Sequence, residues 1–219
     1  MKPYYEDAKH GLTIYCGDCE EIIPQLFPVD VVCTSPPFGN GVAEWDGQFP
    51  TTWLEALPSK VRKCVAINCG ANNILNCPKQ IGYLKYRWTL APMIRAGSTV
   101  GLMGFAAWLP WLCYARDGVS LYGEWQDAEP LNPARERLDH PSPLPVGLMK
   151  WVLNRLPTGE VLDPFMGSGS TLVACKQLRR QAIGIEREER FCELAARRME
   201  HCAILPLADL AIDTQQTLL

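Results

Sequence analysis

Apolar and polar residues follow two rhythms along this chain. Compact apolar runs bounded by Gly, Pro, Asn or Asp read as buried strands. They fall at 12–15, 29–33, 61–68, 83–90 and, in two halves, within 96–115. Two more come late, one ending at Asp163 and one at 182–185, just before Glu186. Helical spacing appears at 20–27 and at 146–156, where Leu148, Trp151, Val152 and Leu156 share a face. It returns at about 170–178 and through Phe191, Leu194, Ala195 and Met199. A brief helix is expected at 53–57, and Pro145 suits a first helical turn. Strands that alternate with helices predict an α/β fold with a doubly wound, mostly parallel sheet. A single domain over 1–205 accommodates all of these elements, with a loosely ordered tail at 206–219. The polar segment 117–139, with Pro130 and Pro133, reads as a connecting loop.

One uncharged stretch, 96–115, has the length of a membrane-spanning helix. It holds Gly97, Gly101, Gly104 and Pro110, so two buried strands with a turn between them explain it better. The beginning of the chain has no apolar core or cleavage pattern, which predicts a cytoplasmic protein. The 10 cysteines are spread through apolar segments and read as reduced core thiols. Cys16 and Cys19 form a C-x-x-C, but no second pair at zinc spacing follows, so no metal site is expected.

Charge changes the picture locally. The net charge is −3, which excludes a general polyanion binder. Yet no Asp or Glu occurs from Ala56 to Arg116, a section that carries Lys60, Arg62, Lys63, Lys79, Lys85, Arg87, Arg95 and Arg116. Tyr83, Tyr86, Trp88, Trp108, Trp111 and Tyr114 are interleaved with them. Such a mixture suits a phosphate backbone with unstacked bases, and 60–139 is therefore expected to face nucleic acid. The plainer reading is a set of strands whose lysines deter edge pairing.

Two stretches carry candidate chemistry. In Thr34-Ser35-Pro36-Pro37-Phe38-Gly39 a strand stops at two prolines, which lack N–H groups and hold their neighbours extended. Ser35 and Pro36 then present acceptors in one rigid direction, with an aromatic ring beyond them. That rim suits an amino group that gives up a proton; the alternative is a turn that merely ends a strand. A Gly-rich loop with Trp45 follows, where the Trp either touches substrate or pins the loop. The second stretch runs from Asp163-Pro164-Phe165-Met166-Gly167-Ser168-Gly169 through a helix and a strand to Glu186. A glycine turn after a strand, with an acid about twenty residues on, is a nucleoside-binding pattern. The third glycine of a dinucleotide loop and the Lys of a P-loop are both absent, which points to a nucleoside without phosphates. Asp18 ends another strand on the same edge; its simpler role is a helix N-cap.

Together these stretches resemble the S-adenosylmethionine-dependent amino-methyltransferases of DNA bases. Ser35-Pro36-Pro37-Phe38 is similar to their catalytic motif, and Asp163 to Gly169 to their cofactor loop. The catalytic motif comes first, which is the permuted order of the β group. The resemblance covers about 12–199 and implies a Rossmann-like methyltransferase fold acting on double-stranded DNA. Ser35, Pro36, Pro37 and Phe38 would be catalytic. Asp18, Thr34, His140, Pro145, Asp163, Pro164, Phe165, Gly167, Ser168, Gly169 and Glu186 would hold the cofactor. Lys60, Arg62, Lys63, Lys85, Arg87 and Trp45 would contact DNA. The target base would flip out of the duplex and stack on Phe38. Ser before the two prolines goes with cytosine N4 more often than with adenine N6. Departures are Leu144, where the family usually has Lys, Phe38 in place of a common Tyr, and no separate target-recognition domain. The competing readings are an adenine-N6 enzyme, a methyltransferase of RNA bases or protein amides, and a DNA-binding module without catalysis. A homodimer and a restriction endonuclease partner stay open at this point.

Overall fold

The computed structural model describes residues 1–41, 44, 46–94, 100–101, 104–105, 107–120, 126–134 and 136–204, with backbone alone at 100–101 and 104–105. Trp45 and the tail expected at 206–219 lie outside the described residues.

Among the described residues nine strands build the main sheet: β1 (Tyr5–Asp7), β2 (Leu12–Cys16), β3 (Val29–Thr34), β4 (Val61–Asn68), β5 (Gln80–Ile81), β6 (Leu84–Leu90), β7 (Trp111–Ala115), β8 (Val161–Asp163) and β9 (Ala182–Glu186). Their spatial order is β1-β2-β9-β8-β3-β4-β7-β6-β5. The five strands β2-β9-β8-β3-β4 are parallel. Antiparallel strands extend this centre on both sides, β1 on one and β7, β6 and β5 on the other. The sheet is thus α/β as expected, with its parallel portion confined to the middle. Among the described residues four α-helices accompany it: α1 (Cys19–Ile22), α2 (Val146–Asn154), α3 (Ser170–Gln177) and α4 (Glu189–His201).

Central strands are apolar on both faces because both faces are covered. In β3, Val31 and Cys33 join one core with Leu148, Val152, Leu172 and Ala195 of α2–α4. Val29 and Val32 join the other core, with Ile22 of α1 and Trp53 and Leu57 of the 3-10 segment Thr52–Ser59. In α4 the buried residues Phe191, Cys192, Ala195, Ala196 and Met199 recur at helical spacing.

Several differences from the sequence reading have local causes. The helix expected over 20–27 is α1 followed by a 3-10 turn, Ile23–Gln25, with Pro24 near its start. Within the polar segment 117–139, Pro130–Leu131 pairs in parallel with Met93–Ile94. β1 and β5 are three and two residues long and carry no readable period. No helix among the described residues is long and apolar enough to cross a membrane. In the uncharged stretch lie β7 and a small antiparallel ribbon of Val100–Gly101 with Gly104–Phe105.

The connections leave β8 and β3 in opposite directions. From β8 the chain passes through α3 to β9 on one side, and from β3 it passes to β4 on the other. A crevice opens beyond the carboxyl ends of strands at such a switch point.

Candidate active site

The crevice is bridged at its floor. Thr34 at the end of β3 donates its hydroxyl to Asp163 Oδ1 at the end of β8, 2.6 Å away. The same oxygen accepts from the Phe165 N–H at 3.1 Å, and Oδ2 accepts from the Thr171 hydroxyl. Burial raises the Asp163 carboxyl to about 6, against the lowering effect of these three donors. Its oxygens serve the two strand ends and the start of α3, so this side chain organises the floor. Above it lies a cleft of about 630 Å³.

One wall is the proline corner. Ser35 Oγ accepts from Asn68 Nδ2 at 3.2 Å, and Asn68 Oδ1 accepts from Gly70 N–H at 3.3 Å. Parallel pairing of β3 with β4, Thr34 opposite Ile67, sets Asn68 beside Ser35. Gly70 has φ +65°, and a Cβ there would lie 3.2 Å from the Phe38 ring. Only glycine meets both demands without strain. The Phe38 carbonyl accepts from Asn73 Nδ2 at 2.8 Å. Beyond the ring, buried Asp46 accepts from the N–H groups of Gly39 (2.6 Å) and Asn40 (3.1 Å) and so folds the Gly-rich loop back on itself.

The opposite wall is the glycine turn. Gly167, at φ +53°, donates its N–H to Glu186 Oε2 at 2.9 Å. Glu186 Oε1 accepts from Glu188 N–H at 2.8 Å, and burial raises this carboxyl above its ordinary range. A Cβ on Gly167 would sit 3.0 Å from His140 Nε2. The His140 ring packs on Phe191, with centroids 4.5 Å apart, and its Nδ1 accepts from Ser142 N–H at 3.1 Å. That bond places the proton of the neutral ring on Nε2. Burial, then the charges of Arg198 and Arg190, lower the imidazole to about 4, so it is neutral at physiological pH. Arg198 of α4 donates to Ser168 and Ser170 and holds both Glu136 oxygens, at 3.0 and 2.9 Å. At the far end Asp18 caps α1 by accepting from Glu20 N–H at 2.8 Å.

The cleft is lined by Ser35, Pro36, Pro37, Phe38, Asp18, His140, Asp163, Pro164, Phe165, Gly167, Ser168 and Glu186, all singled out by sequence. Three expected cofactor contacts sit elsewhere. Thr34 is buried beneath the cleft, bonded to Asp163. Gly169 (φ +81°) lets α3 approach α4, since a Cβ there would be 2.6 Å from Ala195 Cβ. Pro145 precedes α2, and Leu144 lines the cleft in its neighbourhood. Asn68, Asn73, Asp46 and Arg198 were not legible as site residues. The available hint was a polar residue closing an apolar strand, as Asn68 does.

The cations of the basic section have local partners. Lys60, Arg62 and Lys63 lie at the start of β4, at the sheet edge opposite Ser35. Lys60 Nζ donates to Leu26 O at 2.6 Å, and Lys63 Nζ to Thr158 O at 2.7 Å. Arg62 and Lys63 also lie 3.9 and 3.4 Å from Asp30. Lys85 and Arg87 pair with Asp117. Asp30 and Asp117, outside the acid-free section, thus offset the charge of Arg62, Lys63, Lys85 and Arg87 in space.

Comparison with known proteins bears on this geometry. The DNA methylase family model N6_N4_Mtase matches residues 109–197. The Type II methyltransferase M.ScaI of Streptomyces caespitosus is 24% identical over 260 aligned positions, which cover 91% of this chain and 84% of that enzyme. M.SmaI of Serratia marcescens, also a Type II methyltransferase, is 51% identical over 43 residues, 20% of this chain and 15% of that enzyme. The chain thus resembles DNA methylases over residues 109–197 and Type II methyltransferases over most of its length. The fold agrees. The crystal structure of the M1.HpyAVI-SAM complex superimposes with a TM-score of 0.69 at 24% identity, covering 85% of this chain and 99% of the other. The cytosine-N4-specific PvuII DNA methyltransferase gives 0.69 at 15% identity, covering 98% and 94%. The chain is an enzyme, a DNA methyltransferase of the cytosine-N4 or adenine-N6 type, and S-adenosylmethionine is its methyl donor.

Proposed function

We propose that this enzyme moves a methyl group from S-adenosylmethionine to the exocyclic N4 of a cytosine flipped out of duplex DNA. The observation that carries the reading is the Thr34–Asp163 hydrogen bond, which joins the strand leading into Ser35-Pro36-Pro37-Phe38 to the strand leading into the glycine turn. Base site and donor site then face each other across one cleft.

The cleft fits the donor. The Glu186 carboxylate accepts from the Gly167 and Glu188 N–H groups and faces the cleft, where a carboxylate suits the hydroxyls of a ribose. Gly167 lets the His140 ring close against the turn, and that ring, packed on Phe191, forms part of the cleft wall. Asp18, Asp163 and Glu186 give the cleft an acidic lining, and His140 adds no positive charge. Such a lining favours a ligand with a sulfonium and an ammonium group. When bound, the donor supplies an electrophilic methyl.

The protein's own part is to orient the amine. Its lone pair is delocalised into the base ring, so the amine is a weak nucleophile. Ser35 Oγ and the Pro36 carbonyl accept its two hydrogens and favour a pyramidal nitrogen. Because positive charge builds there during transfer, these acceptors act mainly on the transition state. Asn68 already occupies one lone pair of Ser35 Oγ and fixes which is left for the base. Phe38, seated flat on Gly70, offers the base a stacking face. Ser35, in place of an acid, favours cytosine over adenine.

Incubation of the protein with duplex DNA and tritiated S-adenosylmethionine tests the reading. Labelled N4-methylcytosine is expected in the nucleoside digest. Digests holding only N6-methyladenine reverse the base assignment, and unlabelled DNA overturns the function. Pro36→Ala is expected to keep donor affinity by calorimetry and to lose transfer by about 10²-fold through misplacement of the acceptor.

A further inference from the structure

We propose that Leu75 is a wedge that enters the base stack of duplex DNA where the target base has left it. The inference rests on the base-flipping reading above and adds the residue that fills the gap.

An isolated exposed leucine is ordinary on a protein surface. Leu75 is distinguished by its place and its support. It is 96% exposed, on the 3-10 segment Ala71–Asn76 that follows β4 at the cleft edge of the sheet. That segment is joined to the base platform at two points. Gly70, which starts it, packs against the Phe38 ring, and the buried Asn73 amide donates to the Phe38 carbonyl at 2.8 Å. Asn73 also stiffens the turn: its Oδ1 accepts from Asn76 Nδ2 at 2.9 Å and its carbonyl from Cys77 N–H at 3.2 Å. The leucine is therefore carried by the same rigid unit that positions the ring on which the base stacks. Other exposed apolar groups lack this link. Phe27, 90% exposed, precedes β3 at the opposite edge, and Trp88 lies on the outer strand β6, bonded to Asp127.

The chemistry suits the position. A base that leaves the duplex opens a gap one base pair thick, walled by apolar faces. Leucine is among the side chains that proteins insert between base steps. An apolar side chain there stabilises the opened duplex without competing for the base's hydrogen-bonding edge, which Ser35 and Pro36 need. The wedge and the platform rise from neighbouring backbone, so insertion of one and capture of the base by the other belong to one docking event.

The test compares two duplex oligonucleotides carrying the enzyme's methylation site, mapped beforehand by methylation-aware sequencing. In one the target base is paired; in the other it stands opposite an abasic position and is already loosened. Leu75→Ala is expected to keep the wild-type melting temperature and to lose roughly tenfold or more in methylation of the paired duplex. It should match wild type on the abasic duplex, and Leu75→Phe should restore the paired one. Wild-type rates for Leu75→Ala on the paired duplex overturn the wedge alone, as does an equal loss on both duplexes. A wild-type protein that methylates neither duplex overturns the proposed function and the wedge with it.

Discussion

His140 and Asp163 face one cleft, and burial moves their titrations in opposite directions. His140 is lowered to about 4 from an ordinary 6.5. The unfolded chain therefore takes up the proton first, and this group removes stability as pH falls from about 6.5 towards 4. Asp163 is raised to about 6 from 3.8, so the folded chain protonates first. Its contribution is fullest below 3.8 and is lost as pH rises through 6. Relative to wild type, His140→Gln should lessen the drop in melting temperature between pH 7 and pH 5, and Asp163→Asn should steepen it. Melting curves at the two pH values check both signs. At this scale Ser35, Pro36, Pro37 and Phe38 were legible because each has unusual chemistry and they are contiguous. Asn68 was not, because its role comes from a hydrogen bond to a residue 33 positions away. That distance is bridged only by strand register, which no local pattern reveals.

Among the elements, the glycine turn and its helices show how backbone geometry shapes the site. Gly169 combines a left-handed φ of +81° with a close approach to α4. Gly169→Ala would bring strain and overlap with Ala195, and is expected to destabilise the fold by about 1–3 kcal/mol. Urea denaturation should show a lower midpoint with an unchanged slope. Long, strongly patterned elements were read well: β4, and α3 to within a residue. The helix expected over 20–27 was not, because apolar spacing continues through Pro24 although the α-helix ends at Ile22. The loop after Phe38 was marked in sequence by its glycines and Trp45; Asp46, seven positions beyond Gly39, organises it through backbone contacts that composition does not encode.

Across the whole molecule, the alternation of strands and helices with motifs at both ends of the chain was enough to predict a doubly wound sheet. The surface was harder to foresee, since charge along the chain differs from charge in space. Lys63 is held by Thr158 and Asp30 at the edge remote from Ser35. Lys63→Ala should therefore leave both DNA affinity and its salt dependence unchanged in a titration series. A lysine on a phosphate would instead lower the log–log slope by about 0.9. One further consequence follows from the outermost strands of the sheet, only three and two residues long. Strands so brief give a second molecule too few open backbone groups to anneal to. The two rims of the main sheet are thereby poor templates for growing sideways into ribbons.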